Sequence, residues 1–328
     1  IHNRTEYLCR WRMGCMVIRI GIIGFSEGNG HPISFSAIFN GYSSDKVLKS
    51  GWGGIQEYLD KKEPSDFGIS NAKITHIWCP DKKMSNTIAD ACNIDNIVDE
   101  YLDMIGEVDA VIIARDDYEV HFEIARIFLE SGLYVFIDKP LTLDLSELTF
   151  FEKFLKSNQL MSCSGFKHCI ELDDARYYYK NHDLIEFGNA TVVNNWEEYG
   201  IHMIDALYSL TKASPVSVRS VCSNKICTYI IFMDDNSLFN ISTIGNIRTI
   251  FHIQIIGSNS KFNVEIQDNF RAFKRTLVNF CEMIKGDLVE RHDFDTIKSI
   301  KTLIAGKISR EQDGVEIFIN NLDTEGSI

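Results

Sequence analysis

No stretch of this 328-residue chain approaches the ~18–20 consecutive apolar residues that a membrane-spanning helix needs. The first candidate, from Met16 to Phe25, is broken by Arg19 and runs into glycines. The first fifteen residues lack the apolar core of a signal peptide and show no periodicity, so a natural start near Met16 or Met13 is expected, with residues 1–15 a leader or a vector-derived extension. There is no CxxC pair: the nine cysteines, at 9, 15, 79, 92, 163, 169, 222, 227 and 281, are scattered singly. That pattern reads as reduced, mostly buried thiols of a cytoplasmic protein, without a structural zinc site. Basic residues are in deficit, 33 against 46 acidic ones, and a net charge of −13 repels phosphate backbones, which argues against a nucleic-acid partner. Internal repeats and low-complexity tracts are also missing.

What is present is the composition of a soluble globular protein, 45% apolar and 24% charged, in a chain long enough for two cores. Residues 17–24 form a short apolar run ending in glycine, the pattern of a buried strand. Strands at 73–79, 109–114 and 134–137 alternate with helical stretches at 33–39, 84–92 and 118–131, without hairpin signals between them. This predicts a doubly wound parallel sheet. Between Asn40 and Ala72 the alternation breaks at Gly41, Gly51, Gly53, Gly54, Pro64 and Gly68, marking an insertion that is either a surface elaboration or a lid or subunit contact. After Pro140 the order changes. A helix at 145–155, a strand at 160–166 and a helix at 172–179 precede strands at 189–194, 216–222, 226–233, 237–243, 249–256 and 261–266, with a helix at 199–210 among them and two closing helices. This predicts an α+β second domain with a largely antiparallel sheet, and boundaries of 16–141 and 142–328.

Three places carry chemistry. The stretch Gly24-Phe25-Ser26-Glu27-Gly28-Asn29-Gly30-His31-Pro32 joins the first strand to the first helix, where a dinucleotide pyrophosphate meets backbone N–H groups. Ser26 stands where G-x-G-x-x-G has its second glycine, and Gly28 and Gly30 suit a longer turn. Asp81, after the second strand, is the candidate for the adenosine ribose hydroxyls; the insertion accounts for its distance from Gly24 beyond the usual ~20 residues. A carboxylate there favours NAD(H), while Lys82 and Lys83 keep NADP(H) as the alternative. Asp138-Lys139-Pro140 follows a buried strand at the carboxyl edge of the sheet, where ligands bind. Glu198, His202 and Asp205, spaced four and three apart, would share one helix face and position a general acid/base histidine. That spacing also suits a metal, but no cysteine or second histidine joins, so none is expected.

In this order the pieces resemble the glucose–fructose oxidoreductase / inositol dehydrogenase / rhizopine catabolism (Gfo/Idh/MocA) family over essentially everything after Met16. Asp138-Lys139-Pro140 corresponds to that family's E-K-P, and Glu198-Tyr199-Gly200-Ile201-His202-Met203-Ile204-Asp205 to its D-x-G-x-H-x-x-D. Ala114-Arg115-Asp116-Asp117 replaces the usual A-T-P-N loop. The resemblance implies an N-terminal Rossmann domain binding NAD(H) through Gly24, Ser26, Gly28, Asp81, Ala114, Arg115, His121, Asp138 and Lys139. It implies Lys139 and His202 as acid/base residues, with Glu198 orienting the substrate or the histidine. The expected activity is hydride transfer at a secondary alcohol or ketone of a sugar, cyclitol or sugar derivative. An NAD-dependent glycosidase and a non-catalytic cofactor-bound scaffold or sensor are the alternatives. Since Lys139 ends the first domain and His202 belongs to the second, a cleft between domains is expected to join them. A homodimer or homotetramer through the C-terminal sheet is also implied.

Overall fold

The computed structural model describes residues 17–287 and 293–323, so the leader expected over residues 1–15 lies outside the described residues. The chain makes two compact units, and they are not separated by one cut. The first runs through Asp138 and regains Lys153–Ser162 and the stretch that begins at Phe273; the second holds Lys139–Glu152, Cys163–Ala272 and the last helix.

In the first unit, β1 (Ile18–Ile23) leads into α1 (His31–Asn40), and two short helices, α2 (Ser44–Lys49) and α3 (Gly53–Leu59), form the insertion. Then come β2 (Ala72–Trp78), α4 (Lys82–Ala91), β3 (Asn96–Ile97), β4 (Ala110–Ile113), α5 (His121–Glu130) and β5 (Tyr134–Ile137). After α6 (Leu145–Lys156), β6 (Leu160–Met161) completes a parallel six-stranded sheet of order β3-β2-β1-β4-β5-β6. Its central strands are buried on both faces, every residue of β4 and β5 included, as parallel strands covered by helices must be. The insertion has a packing role: α1 is buried at every position from Pro32 to Phe39, because the sheet covers one side and the insertion another. Asp60 ties the insertion together, accepting from Tyr42 Oη at 2.5 Å, Ser44 Oγ at 2.8 Å and Gln56 Nε2.

The second unit contains α7 (Asp173–Asn181), β7 (Ile185–Val192), α8 (Ile201–Tyr208), β8 (Pro215–Ser223), β9 (Ile226–Met233), β10 (Leu238–Thr243), β11 (Phe251–Gly257) and β12 (Lys261–Glu265). The chain then returns to the first unit with α9 (Asn269–Lys285), whose Phe273 and Phe280 pack on Phe35 and Phe136, with ring centroids 5.4 and 5.8 Å apart. It closes in the second unit with α10 (Asp293–Glu311) and β13 (Ile317–Phe318). The seven strands form one sheet, β12-β11-β7-β10-β9-β8-β13, antiparallel except for the β7–β10 pair. Alternate residues of β9 and β10 are buried, Tyr229, Ile231, Phe239 and Ile241 among them, on the face covered by α8 and α10.

Two expectations need correction. The strand expected over 160–166 ends at Met161, and the following residues turn through a 3₁₀ segment, Gly165–His168. Cys222 and Cys227 are directly opposed across the β8–β9 hairpin and form a disulfide, so they are not reduced thiols. The register of a tight hairpin brings together two residues that look unrelated in the sequence. Cys79, Cys92, Cys163, Cys169 and Cys281 are buried thiols.

Candidate active site

The sheet order places β1 beside β4, with β2 on the far side of β1, so the strand order reverses at the carboxyl ends of β1 and β4. Ligands of doubly wound sheets sit at such a switch point. The three glycines of the intervening turn answer to different demands. A Cβ on Gly24 would lie 2.8 Å from Pro32 Cγ, so Gly24 lets α1 close on the strand end. A Cβ on Gly30 would lie 2.0 Å from Ile55 Cδ1 and 3.1 Å from Trp52, so Gly30 serves the insertion. Gly28 has φ +82°, and a Cβ there would have no atom within 4 Å, so the backbone has open room beside it.

Ser26 Oγ is 2.5 Å from Asp116 Oδ1 and accepts from Asp116 N at 3.2 Å, tying the glycine turn to the loop after β4. That loop begins at buried Ala114. Arg115 is buried and makes a two-pronged pair with Asp117, its Nε 2.9 Å from Asp117 Oδ1. His121, fully buried, donates from Nε2 to Arg115 O at 3.0 Å and holds the loop from inside. Asp138 is buried as well and bonds to His31 Nδ1 and to Asn29 Nδ2 (3.4 Å), so the end of β5 is pinned to the glycine turn. Asp81 is exposed and caps α4, accepting from Lys83 N at 2.9 Å. Lys82 is engaged by Asp99 at 2.5 Å.

These residues fit a dinucleotide. Gly28 faces open space, the first turn of α1 holds no acidic side chain, Gly30 makes no side-chain cap there, and Asp81 offers a carboxylate beyond β2. The sequence of residues 18–166 matches an oxidoreductase family described by its NAD-binding Rossmann fold, Gfo/Idh/MocA. Over that stretch the chain is similar to the Gfo/Idh/MocA family.

Solved structures agree with this fold across both units. Myo-inositol 2-dehydrogenase from Lactobacillus plantarum is 17% identical, with a TM-score of 0.73, and the match covers 92% of this chain and 99% of that one. Scyllo-inositol dehydrogenase from Lactobacillus casei with bound NAD(H) and scyllo-inositol is 15% identical, TM-score 0.69, covering 93% and 99%. Myo-inositol dehydrogenase from the same organism, in complex with NAD(H) and myo-inositol, is 12% identical, TM-score 0.72, covering 92% and 97%. No curated protein sequence matches the chain.

Lys139 and His202, the pair expected from the sequence, lie together in the second unit, because Lys139 is its first residue. Lys139, only 4% exposed, donates from Nζ to Glu198 O at 3.4 Å and stands 5.5 Å from the centre of the Tyr199 ring. Glu198 and Tyr199 belong to a single π turn, Trp196–Gly200, that precedes α8. The wide turn is fixed by Trp196, fully buried, which donates to Leu303 O at 2.8 Å and stacks on Tyr229 at 3.8 Å. A Cβ on Gly200 would lie 2.5 Å from the Trp196 ring, so a glycine is needed for packing here. Because the turn is not α-helical, Glu198 does not share a helix face with His202 and Asp205: Glu198 is exposed, whereas His202 and Asp205 are buried.

His202, at the start of α8, is surrounded by aromatic rings, with Phe166, Tyr199 and Phe251 centred 4.9, 5.5 and 6.1 Å away. Its Nδ1 is 2.6 Å from Ser164 Oγ, and Ser164 N donates to Asp205 Oδ2 at 2.6 Å. Burial pushes the Asp205 carboxyl up to about 6 against the opposing pull of Lys167. Burial pulls the Lys167 ammonium down, but Asp295, Cys163 and Asp205 outweigh it and hold it above the usual lysine value; Asp295 is 3.1 Å away. Ser164, Phe166, Lys167, Tyr199, Phe251 and His31 are absent from the sequence-derived site. Only Tyr199 and His31 lie inside motifs that the sequence displays.

Proposed function

We propose that the chain is an NAD(H)-dependent oxidoreductase that interconverts a secondary alcohol and a ketone of a sugar, cyclitol or sugar derivative. Lys139, His202 and Glu198 form its catalytic set. Cofactor binding falls to residues 16–141, through Gly24, Ser26, Gly28, Asp81, Ala114 and Arg115, and substrate binding to 142–328. Support comes above all from Tyr199, whose ring has the Lys139 ammonium over it and the His202 imidazole at its side. A scaffold has no use for a buried ammonium and an imidazole gathered on one ring.

Bound nicotinamide supplies or accepts the hydride. The chain's own groups handle the proton and the oxygen. Lys139 exchanges the hydroxyl proton, and in its charged form stabilises the alkoxide as that charge develops. The Glu198 carbonyl and the Tyr199 ring keep the ammonium in place. The exposed Glu198 carboxylate is available to neighbouring substrate hydroxyls, and Phe166 and Phe251 keep water from the imidazole. Inositols are the first substrates to try, since the structural neighbours include inositol dehydrogenases.

Following nicotinamide absorbance with a panel of inositols, free sugars and nucleotide sugars tests this reading. Net reduction of NAD⁺ by one polyol supports it; turnover of a glycoside without net cofactor change would replace it with the glycosidase. A homo-oligomer built on the outer sheet face is part of the proposal. So is a cytoplasmic location: no helix among the described residues is long and apolar enough to cross a membrane, and the buried thiols suit it, although the Cys222–Cys227 bridge does not.

A further inference from the structure

Ser164 lies in a segment with no motif, yet it bonds directly to the histidine of the proposed site. It is 0% exposed. Its Oγ accepts from Phe166 N at 3.1 Å and lies 2.6 Å from His202 Nδ1, and among the described residues the hydroxyl meets no other acceptor. Its backbone N–H is held by Asp205, and its carbonyl accepts from Lys167 N at 3.2 Å.

A serine hydroxyl has one proton to give. If Nδ1 of His202 carried a proton, Ser164 Oγ would accept twice, from Nδ1 and from Phe166, and its own proton would be buried without an acceptor. A lost hydrogen bond of that kind is worth roughly five- to 150-fold in an equilibrium. With the hydroxyl donating to Nδ1, the hydroxyl proton, Nδ1 and Phe166 N are all paired, and the imidazole proton sits on Nε2. Phe166 and Tyr199 on its flanks hinder the ring flip that would exchange the two nitrogens.

We infer that Ser164 is a positioning residue that fixes His202 as the neutral Nε2–H tautomer, so that His202 works as a hydrogen-bond donor to the substrate oxygen and Lys139 alone carries the proton. The second half of this rests on the proposed oxidoreductase reading. In the oxidation direction the hydroxyl proton leaves for the Lys139 amine, while Nε2–H stays on the imidazole and donates to the oxygen as it becomes a carbonyl. Asp205 acts one step further back. By gripping Ser164 N it holds the hydroxyl against Nδ1, the link that its place three residues after His202 does not supply directly.

The test is a two-bond ¹H–¹⁵N correlation spectrum of the full chain labelled in histidine, with His202 assigned by its loss in His202→Gln. The wild type should show the Nε2–H pattern. Ser164→Ala should shift the neutral ring at least about fivefold toward Nδ1–H, and Ser164→Thr, which keeps a hydroxyl, should restore the wild-type pattern. An Nδ1–H pattern in the wild type overturns the inference, as does an unchanged Nε2–H pattern in Ser164→Ala. The wild-type spectrum alone decides if the alanine variant fails to fold. If no inositol is turned over, the oxidoreductase reading fails, but the spectrum still judges Ser164. With an active inositol, Ser164→Ala should lower kcat about tenfold with little change in KM for NAD⁺, and an unchanged kcat would remove His202 from the donor role.

Discussion

The Lys139 ammonium sits 5.5 Å from the centre of the Tyr199 ring, and the neighbouring Glu198 carbonyl accepts from it at 3.4 Å. The two contacts come from consecutive residues of one π turn, so the shape of that turn helps to set where the amine points. Lys139→Ala should therefore reduce the chemical step by about 10²–10⁴-fold while leaving NADH affinity nearly unchanged. His202→Ala should lower kcat less, and the double variant should fall short of the product of the two losses, because both side chains serve one oxygen. Steady-state kinetics with calorimetric NADH titration check this; normal turnover by Lys139→Ala would refute the assignment.

Asp81 has two duties, capping α4 and offering a carboxylate to a ribose. Alanine removes both, at a cap cost of about 0.5–2 kcal/mol. Serine keeps the cap and removes the charge. Asp81→Ser should retain thermal stability, weaken NADH binding and relax discrimination against NADPH. Calorimetry that finds NADPH preferred by the wild type contradicts the ribose role.

The raised pKa of Asp205 has a definite consequence for stability. Its carboxyl titrates at about 6 in the folded chain and at about 4 when unfolded, so between those values the folded state holds the extra proton. Stability from this group is full below about pH 4 and is lost as pH rises through about 6. The stability of the wild type relative to Asp205→Asn should fall by on the order of 2 kcal/mol across that window. Urea denaturation of both proteins at several pH values measures it, and a flat or rising difference counts against a buried, proton-binding Asp205.

Gly30 and Ile55 should be energetically coupled. A methyl on Gly30 falls 2.0 Å from Ile55 Cδ1, so Gly30→Ala should destabilise by about 1–3 kcal/mol. Ile55→Ala in the same background should recover part of that loss. A double-mutant cycle with no coupling would mean that the insertion does not pack on the turn.

The face of the second sheet away from α8 and α10 carries half-exposed Phe187, Ile230, Phe232 and Leu238. An apolar sheet face of this kind calls for a cover. Light scattering at micromolar concentration should find a dimer or tetramer, and Ile230→Lys with Phe232→Glu should shift it toward monomer. A clean wild-type monomer excludes the interface.

Local chemistry made much of this protein legible from its sequence. The buried runs of β1, β4 and β5 announce parallel strands, since only strands covered on both faces are apolar at every position. Gly24 through Gly30, Asp138-Lys139 and Gly200-Ile201-His202 mark their places because a tight turn, a strand end and a helix start each restrict residue type. Other features had no such signature. Ser164 caps a 3₁₀ turn, too short for any periodicity, and its value comes from His202, 38 residues away. Glu198 looks like a helix-face partner of His202 until the packing of Trp196 widens the turn and leaves it exposed. The α1 sequence, whose Ser34 and Ser36 are buried along with its apolar residues, gives no hint of which side meets the sheet, because the insertion covers the other. Cys222 and Cys227 become a pair only through the register of their hairpin. Periodicity and turn chemistry are properties of neighbours along the chain, whereas a tautomer, a disulfide and the reason for a glycine depend on atoms that only the folded chain brings within reach.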